Sequence, residues 1–334
     1  MDDASDEALG AAAREALAAF GVRADRLTLA SRSENITFRA EVADGDAFSL
    51  RLHRPGYHTL EELNSERVWT RALADAGHAV PDGLETADGR HYAPVQIAGG
   101  ETRLAGMTRW IEGDVLADVL KREHAAAPLA DYFAKLGDIA AGLHAHSETW
   151  RPPAGFTRHA VDADGLMSEA PHWGAFWDHA AVTPAERALL TATRGRLHAA
   201  LNRLPRDPLR FGMIHADLHH GNLLVNGERL TVIDFDDAAF GWYLYDLAVS
   251  LGAYEARADF ADLQAALLRG YRTRRALSAE AEALLPMFLL VRRLAVIGWL
   301  HQRPEIDPGP RLAELKALAL AGCQAFGASR WSEG

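Results

Sequence analysis

The sequence predicts an α+β chain in two parts. Residues 1–108 form a small antiparallel sheet with one inserted helix, 109–114 a connector, and 115–334 a larger, mostly helical part. Three observations predict this. Segments near 27–30, 34–43 and 46–53 alternate apolar and polar residues, as half-buried strands do. Beyond residue 115, apolar residues recur at helical spacing through long alanine- and leucine-rich stretches. A chain of 334 residues, 49% hydrophobic and 24% charged, is also long enough for two cores.

In order, residues 6–20 read as an amphipathic helix ended by Gly21. The first strands follow, with "ADGD" (43–46) as the turn between the last two. "LEELNSERVWTRALADAG" (60–77) reads as a helix with Gly77 at its C-cap. Further strands are expected near 92–97 and 102–110. Helices are expected at 115–123, 128–146, 185–203, 241–254, 258–275, 278–301 and 310–326. Between them 148–184, rich in Pro, Gly and Trp, reads as an irregular insertion. "FGMIH", "LLVNG" and "RLTVIDF" read as three short strands, with Asn226-Gly227 as a hairpin turn.

Lys plus Arg number 35 against 46 Asp plus Glu, a net charge of -11. That sign argues against a general nucleic-acid binder, which needs a basic field. A nucleotide needs only local donors and remains compatible. The single cysteine, Cys323, allows neither a disulfide framework nor a thiolate metal cluster. The acidic "MDDASDEALG" is unlike a secretory signal. The longest apolar run, "ALLPMFLLV", contains a proline and stops at Arg292-Arg293, short of a bilayer's thickness. A cytoplasmic chain acting on neither membrane nor nucleic acid is expected; the sequence does not indicate an oligomeric state.

"FGMIHADLHHGNLLV" (211–225) concentrates the chemistry. Two readings compete. A zinc loop would use His215, Asp217, His219 and His220, but needs further His or Cys ligands, and "VIDFDDAAFGWYLYDLA" (232–248) contains none. A phosphoryl-transfer loop explains more. An H-x-D-x-x-x-x-N loop, then a hairpin, then a strand ending in Asp-Phe is the arrangement kinases use. Asp217 then takes or orients the acceptor's hydroxyl proton, while Asn222 and Asp234 offer magnesium the hard oxygens it prefers. His215 either orients the loop or is a satisfied core histidine. His219 and His220 either touch phosphate or substrate or face solvent. Asp246, inside a helix, is expected to hold the loop's backbone N–H groups. Asp236 is expected beside the metal or the substrate.

The first part offers an independent check. In "AFSLRLHR", Phe48, Leu50 and Leu52 face one side and Arg51 the other. Glu66 falls within the apolar stripe Leu60, Leu63, Trp69, Ala72, Leu73, where a carboxylate is costly without a partner. The expected partner is Arg51, placing a cation on a nucleotide's phosphates; the alternative is a helix rotated so that Glu66 meets solvent. Ser33, Glu34 and Asn35 lie at the turn where backbone donors could close over a triphosphate. Thr108 and Trp110, in "MTRWIEG", stand where a connector would meet an adenine edge.

Together, "HADLHHGN", "VIDFDDAAFGWYLYDLA", "RWIEG" and Arg51 with Glu66 resemble the aminoglycoside phosphotransferase, choline kinase and type II homoserine kinase superfamily, over roughly residues 27–300. The resemblance implies a bilobal, protein-kinase-like fold and an ATP- and Mg2+-dependent phosphotransferase acting on a small hydroxylated molecule. It implies Asp217 as base, Asn222 and Asp234 as magnesium ligands, and Arg51 on the phosphates. Arg51 departs from the usual lysine, substituting a longer planar fork. Alternatives are a stress-response-type protein kinase and an inactive nucleotide-binding module. Trp173, Trp177, Asp178, Trp242, Tyr243, Tyr254, Glu255 and Trp299 supply aromatic faces and carboxylates that favour a cationic acceptor, an amino alcohol, hydroxylated amino acid or amino sugar.

Overall fold

The computed structural model describes residues 5–97, 100–123, 129–329 and 331. The chain divides into two compact units: residues 1–115 with 152–158 and 224–236, and the remainder. The sequence divided it only once, at 109–114. Contacts between segments far apart in sequence draw the two later segments, and Asp234 with them, into the first unit.

In the first unit, β1 (Arg26–Arg32), β2 (Ile36–Glu41), β3 (Ala47–Leu52), β4 (Tyr92–Ile97) and β5 (Glu101–Arg109) form an antiparallel sheet in the order β1-β2-β3-β5-β4. Its period-two alternation sends Phe38, Phe48, Leu50, Leu52, Val95 and Met107 to one face. There they pack with Leu9, Ala13, Ala16 and Leu17 of α1 (Asp6–Ala19), which Ser5 caps. Arg51 and Gly106 are register partners. A Cβ at Gly106 would stand 2.6 Å from the Tyr92 ring, so the close approach requires glycine.

The inserted helix α2 (Leu60–Asp75) starts with a Thr59/Glu62 capping box. Leu63, Glu66, Trp69 and Leu73 are buried, so the stripe has the expected phase. Leu60, expected within it, is exposed because it opens the helix. Tyr92 Oη donates to Leu63 O at 3.2 Å. The later segments attach here: Thr157 N donates to Ser65 Oγ at 2.9 Å, Arg158 Nη1 to Glu62 O at 3.2 Å, and Phe235 meets Trp69 edge to face. The hairpin of β9 (Leu223–Asn226) and β10 (Arg229–Val232) turns at Gly227, φ +57°. β6 (Asp114–Val115) pairs with β9.

In the second unit, α4 (Leu129–Thr149) and α8 (Phe260–Tyr271) cross backbone to backbone. A Cβ at Gly137 would stand 2.0 Å from Leu267 O, and one at Gly270 1.9 Å from Ala134 O. β8 (Phe211–Ile214), β11 (Ala239–Trp242) and β7 (Ala160–Val161) form a small sheet, β11 central. Two expectations change here. The segment 239–242, which includes the expected helix start, is a strand, because Phe240 and Gly241 pair with neighbours on both sides. The insertion 148–184 is not wholly irregular: it contains β7, the short α5 (Ala163–Met167) and a 3-10 turn at Phe176–Asp178. Helices α3 (Leu116–Glu123), α6 (Pro184–Asn202), α7 (Tyr243–Gly252) and α11 (Arg311–Gly327) follow expectation within a few residues. The expected helix 278–301 divides into α9 (Ala279–Glu282) and α10 (Leu285–His301). The 279–301 stretch is long and apolar enough, by length and composition only, to cross a membrane. Most of it is buried inside this unit, and Arg292 and Arg293 both meet carboxylates there.

Candidate active site

The loop His215–Asn222 leaves β8 through a left-handed residue, Ala216, φ +64°. Such a conformation costs an L-residue about 1–2 kcal/mol and persists only when its surroundings hold it. Asp246 of α7, fully buried, does so. Its Oδ1 accepts from Ala216 N at 2.7 Å and its Oδ2 from His215 N at 3.0 Å. His144 Nε2 stands 3.1 Å from the same Oδ2, and its Nδ1 3.0 Å from Tyr271 Oη. Arg275 Nε donates to Tyr271 Oη at 3.1 Å. Tyr271 therefore donates to Nδ1, and the imidazole proton sits on Nε2 facing Asp246. Burial, against the pull of Asp246, lowers the His144 pKa. Further along, Ser250 Oγ donates to Leu218 O at 2.8 Å. His215 Nδ1 lies 3.3 Å from Asp217 N.

So anchored, Asp217 is half-buried. Its Oδ2 accepts from Asn222 Nδ2 at 2.9 Å and stands 3.1 Å from His219 Nε2. His219 Nδ1 accepts from Gly221 N at 2.8 Å, which leaves Nε2 as the protonated nitrogen facing the carboxylate. Asp217 Oδ1 pairs with Arg292 Nη2 at 2.7 Å. Burial pushes the carboxyl up, but His219, Arg292 and His215 outweigh it and hold it well below the usual range. Asn222 also donates to Asp217 O at 3.0 Å. With Nδ2 so engaged, its Oδ1 has no protein hydrogen bond among the described residues. Burial, with His219 and Lys121, lowers His220 to about 4; its ring meets Tyr254 edge to face.

In the first unit, Asp234 is, among the described residues, the other non-glycine residue of positive φ, +64°. Its Oδ1 takes Arg51 Nη1 at 2.7 Å. Burial lowers the Arg51 pKa, but Asp234, Asp236 and Glu66 together raise it above its ordinary value. The expected Arg51–Glu66 ion pair does not form. Glu66 is buried as expected, but Oε2 has no hydrogen-bond partner and attracts Arg51 only at longer range. Asp234 is the nearer carboxylate and takes the guanidinium.

Asp236 Oδ2 accepts from Asn35 Nδ2 at 2.9 Å, and Asn35 Oδ1 from Arg54 N at 2.9 Å. Asn35, expected over a triphosphate, thus has its amide committed to the protein; Ser33 N and Oγ both donate to Asn35 O. His53 and His58 flank Asp236 Oδ1 at 3.6 and 3.7 Å, beyond ordinary hydrogen-bond length. These residues, with Arg54 and Tyr57, line a cavity of about 190 Å³. Burial pushes Asp236 up, but His53, Arg51 and His58 hold it well below the usual range. Thr108 pairs with Ser49 in the sheet, and the Trp110 ring lies under Arg39 at 4.8 Å.

The expected acceptor residues of the second unit are otherwise engaged. Trp242 is buried and donates from Nε1 to Pro205 O at 3.1 Å. Trp177 lies under Arg194 at 4.9 Å, and Asp178 pairs with Arg187. Tyr243 stacks on His144, Trp173 on Tyr245, and Glu255 pairs with Arg293. Trp299 lies under Arg303. Trp173, Trp242 and Tyr243 are buried, while the Asp178–Arg187 pair is exposed. No group of three His, Cys, Asp or Glu side chains suited to a metal occurs among the described residues. The residue that sequence reasoning missed is Arg292. Its signal was a charge ending an apolar helical run, which requires a partner. The partner, Asp217, lies 75 residues away.

The phosphotransferase enzyme family matches residues 26–283. Amicoumacin kinase of Bacillus subtilis (strain 168) is 23% identical over 304 residues, 88% of this chain and 85% of that one. Homoserine kinase of Brucella abortus (strain S19) is 40% identical over 133 residues, 38% of this chain and 40% of that one. Among solved structures, a microcompartment-associated aminopropanol kinase is 33% identical, with TM-score 0.80, over 96% of this chain and 98% of that one. The antiparallel sheet and helical unit are those of protein-kinase-like small-molecule kinases.

Proposed function

This chain belongs to the phosphotransferase enzyme family, and on that premise we propose that it moves the terminal phosphoryl group of ATP, with Mg2+, to a hydroxyl of a small amine-bearing molecule. One observation carries the reading: Asp217 stands on a strained loop, fixed by Asp246 and hydrogen-bonded by Asn222. A carboxylate held so far below its usual pKa is a weak proton sink. Asp217 therefore acts chiefly by orienting the acceptor hydroxyl, and takes the proton only as the new bond forms.

Asn222 and Asp234, one in each unit, carry oxygens of the kind a hard cation prefers. Asn222 Oδ1 and Asp234 Oδ2 are oxygens without protein hydrogen bonds among the described residues, and we assign them as ligands. When bound, the magnesium ion neutralises phosphate charge. Arg51 uses Nη1 on Asp234, which leaves Nε and Nη2 for phosphate oxygens. This fork serves where the family usually has lysine. Asp246, through His215 N and Ala216 N, positions the loop without touching substrate.

Support for an amine on the acceptor is the -11 net charge, which attracts cations at long range, and the amines in the names aminopropanol and homoserine. The test is ADP release over a panel of cationic, zwitterionic, neutral and anionic alcohols, with Asp217→Ala as blank. Preference for a neutral polyol or an anionic sugar overturns the amine. Phosphorylation of protein alone supports the protein-kinase alternative.

A further inference from the structure

We propose that Arg292 is a catalytic residue that contacts the phosphoryl group in transit; this rests on the phosphotransferase reading above. The argument begins with two neighbouring arginines on α10 that differ in use. Arg293 commits Nε and Nη2 to Glu255 and Nη1 to Leu318 O. Arg292 is equally sheltered, 17% exposed against 14%. Its one hydrogen bond of ordinary geometry among the described residues runs from Nη2 to Asp217 Oδ1 at 2.7 Å, and the Tyr245 hydroxyl is close enough to interact more weakly. A guanidinium carries five N–H donors, and a sheltered one normally commits most of them. Here three or four remain, depending on the weak contact with Tyr245, on a group touching the carboxylate assigned to the acceptor.

The surroundings fix this fork. Tyr245, fully buried, stacks on Trp173 with ring centroids 5.8 Å apart and 10° between planes. Its hydroxyl lies beside Arg292 without a hydrogen bond of ordinary geometry. The guanidinium thus has both Asp217 and the buried Tyr245 as neighbours.

Chemistry supplies the ligand. Transfer must bring an anionic phosphoryl group to the hydroxyl that Asp217, itself an anion, orients. The two repel. A cation already bound to the carboxylate, with free donors in a planar fork, offsets that repulsion and matches phosphoryl oxygens. In a loose transition state the charge spreads over the equatorial oxygens, where a fixed guanidinium acts without reorganising. In the step, the acceptor oxygen bonds to the γ-phosphorus. The bond from that phosphorus to the β–γ bridging oxygen breaks, and its electron pair leaves on ADP. The hydroxyl proton passes to Asp217 and then to water. Arg292 exchanges no proton.

The test uses the full chain with aminopropanol as acceptor, and ADP with aluminium fluoride as an acceptor-independent probe. Arg292→Ala is expected to lower kcat about 10³- to 10⁵-fold, as loss of a transition-state cation does. The aminopropanol KM and ADP affinity should stay within about threefold, since the contact exists only in transit. The variant should lose aluminium-fluoride-dependent tightening of ADP binding, and added guanidine should restore about tenfold of the lost rate. Arg292→Lys, which keeps the charge without the fork, should fall between. An unchanged kcat, a loss confined to KM, or a lower melting temperature in both variants without guanidine rescue overturns the inference. Those outcomes leave the phosphotransferase reading standing provided that wild type turns over and Asp217→Ala does not. If wild type phosphorylates nothing, both fall.

Discussion

Replacing Asp246 by asparagine is isosteric and leaves no cavity, so its effect is one of hydrogen bonding. The carboxylate accepts three hydrogen bonds: Ala216 N at 2.7 Å on Oδ1, and His215 N at 3.0 Å and His144 Nε2 at 3.1 Å on Oδ2. Asparagine has one oxygen. Its best orientation keeps the two bonds on the Oδ2 side and turns N–H against Ala216 N–H. A lost hydrogen bond to a charged group costs about 1.5–3 kcal/mol, and a buried donor is left unsatisfied. The two retained bonds weaken to roughly half as they become neutral. Relaxation of the left-handed Ala216, no longer restrained, returns up to about 1–2 kcal/mol of this. Together these predict destabilisation of about 3–5 kcal/mol. In the second unit, of about 200 residues, each kcal/mol moves the transition by roughly 2–4 °C, so Tm should fall by about 6–20 °C. Circular dichroism melts measure this. Turnover below the transition should also drop, by about 10- to 100-fold, because Asp217 follows the released residue. A Tm within about 2 °C of wild type would show that the loop is not held as argued.

Three further outcomes follow from particular residues. Ala216→Gly should leave stability within about 0.5 kcal/mol of wild type in urea unfolding, because relief of the left-handed strain offsets glycine's added unfolded-state freedom; a loss of about 1 kcal/mol, usual for an ordinary helical alanine, would contradict it. In a double-mutant cycle read by nucleotide binding, Arg51→Ala and Asp234→Asn should couple by about 1–3 kcal/mol and Arg51→Ala with Glu66→Gln by less, since only the first pair is in contact; equal couplings would restore the strand–helix pair. Burial lowers His220 to about 4 in the folded chain against an ordinary histidine value of 6.5. Between those values the unfolded chain binds the extra proton, so the stability His220 provides is complete above pH about 6.5 and is lost as pH falls toward 4. His220→Gln should flatten that part of the pH–stability curve, and an unchanged slope would rule the histidine out as its source.

The sequence determined what depends on near neighbours. Period-two alternation placed Arg51 opposite Leu50 and Leu52, and helical phase buried Glu66 between Leu63 and Trp69, because side-chain direction follows from backbone repeat alone. The eight residues from His215 to Asn222 brought Asp217 and Asn222 into one loop, where they hydrogen-bond. Tertiary structure decided the rest. Glu66 and Asp234 both offered Arg51 a carboxylate, and attraction that falls with distance chose the nearer, from a segment that rejoins the first unit late in the chain. Val161 and Gly212, far apart in sequence, made Gly241 part of a strand where local composition suggested a helix. Arg292 announced only that it needed a partner. That the partner is Asp217 follows from how α10 lies against the loop within its unit, and packing over such separations leaves no periodic mark in the sequence.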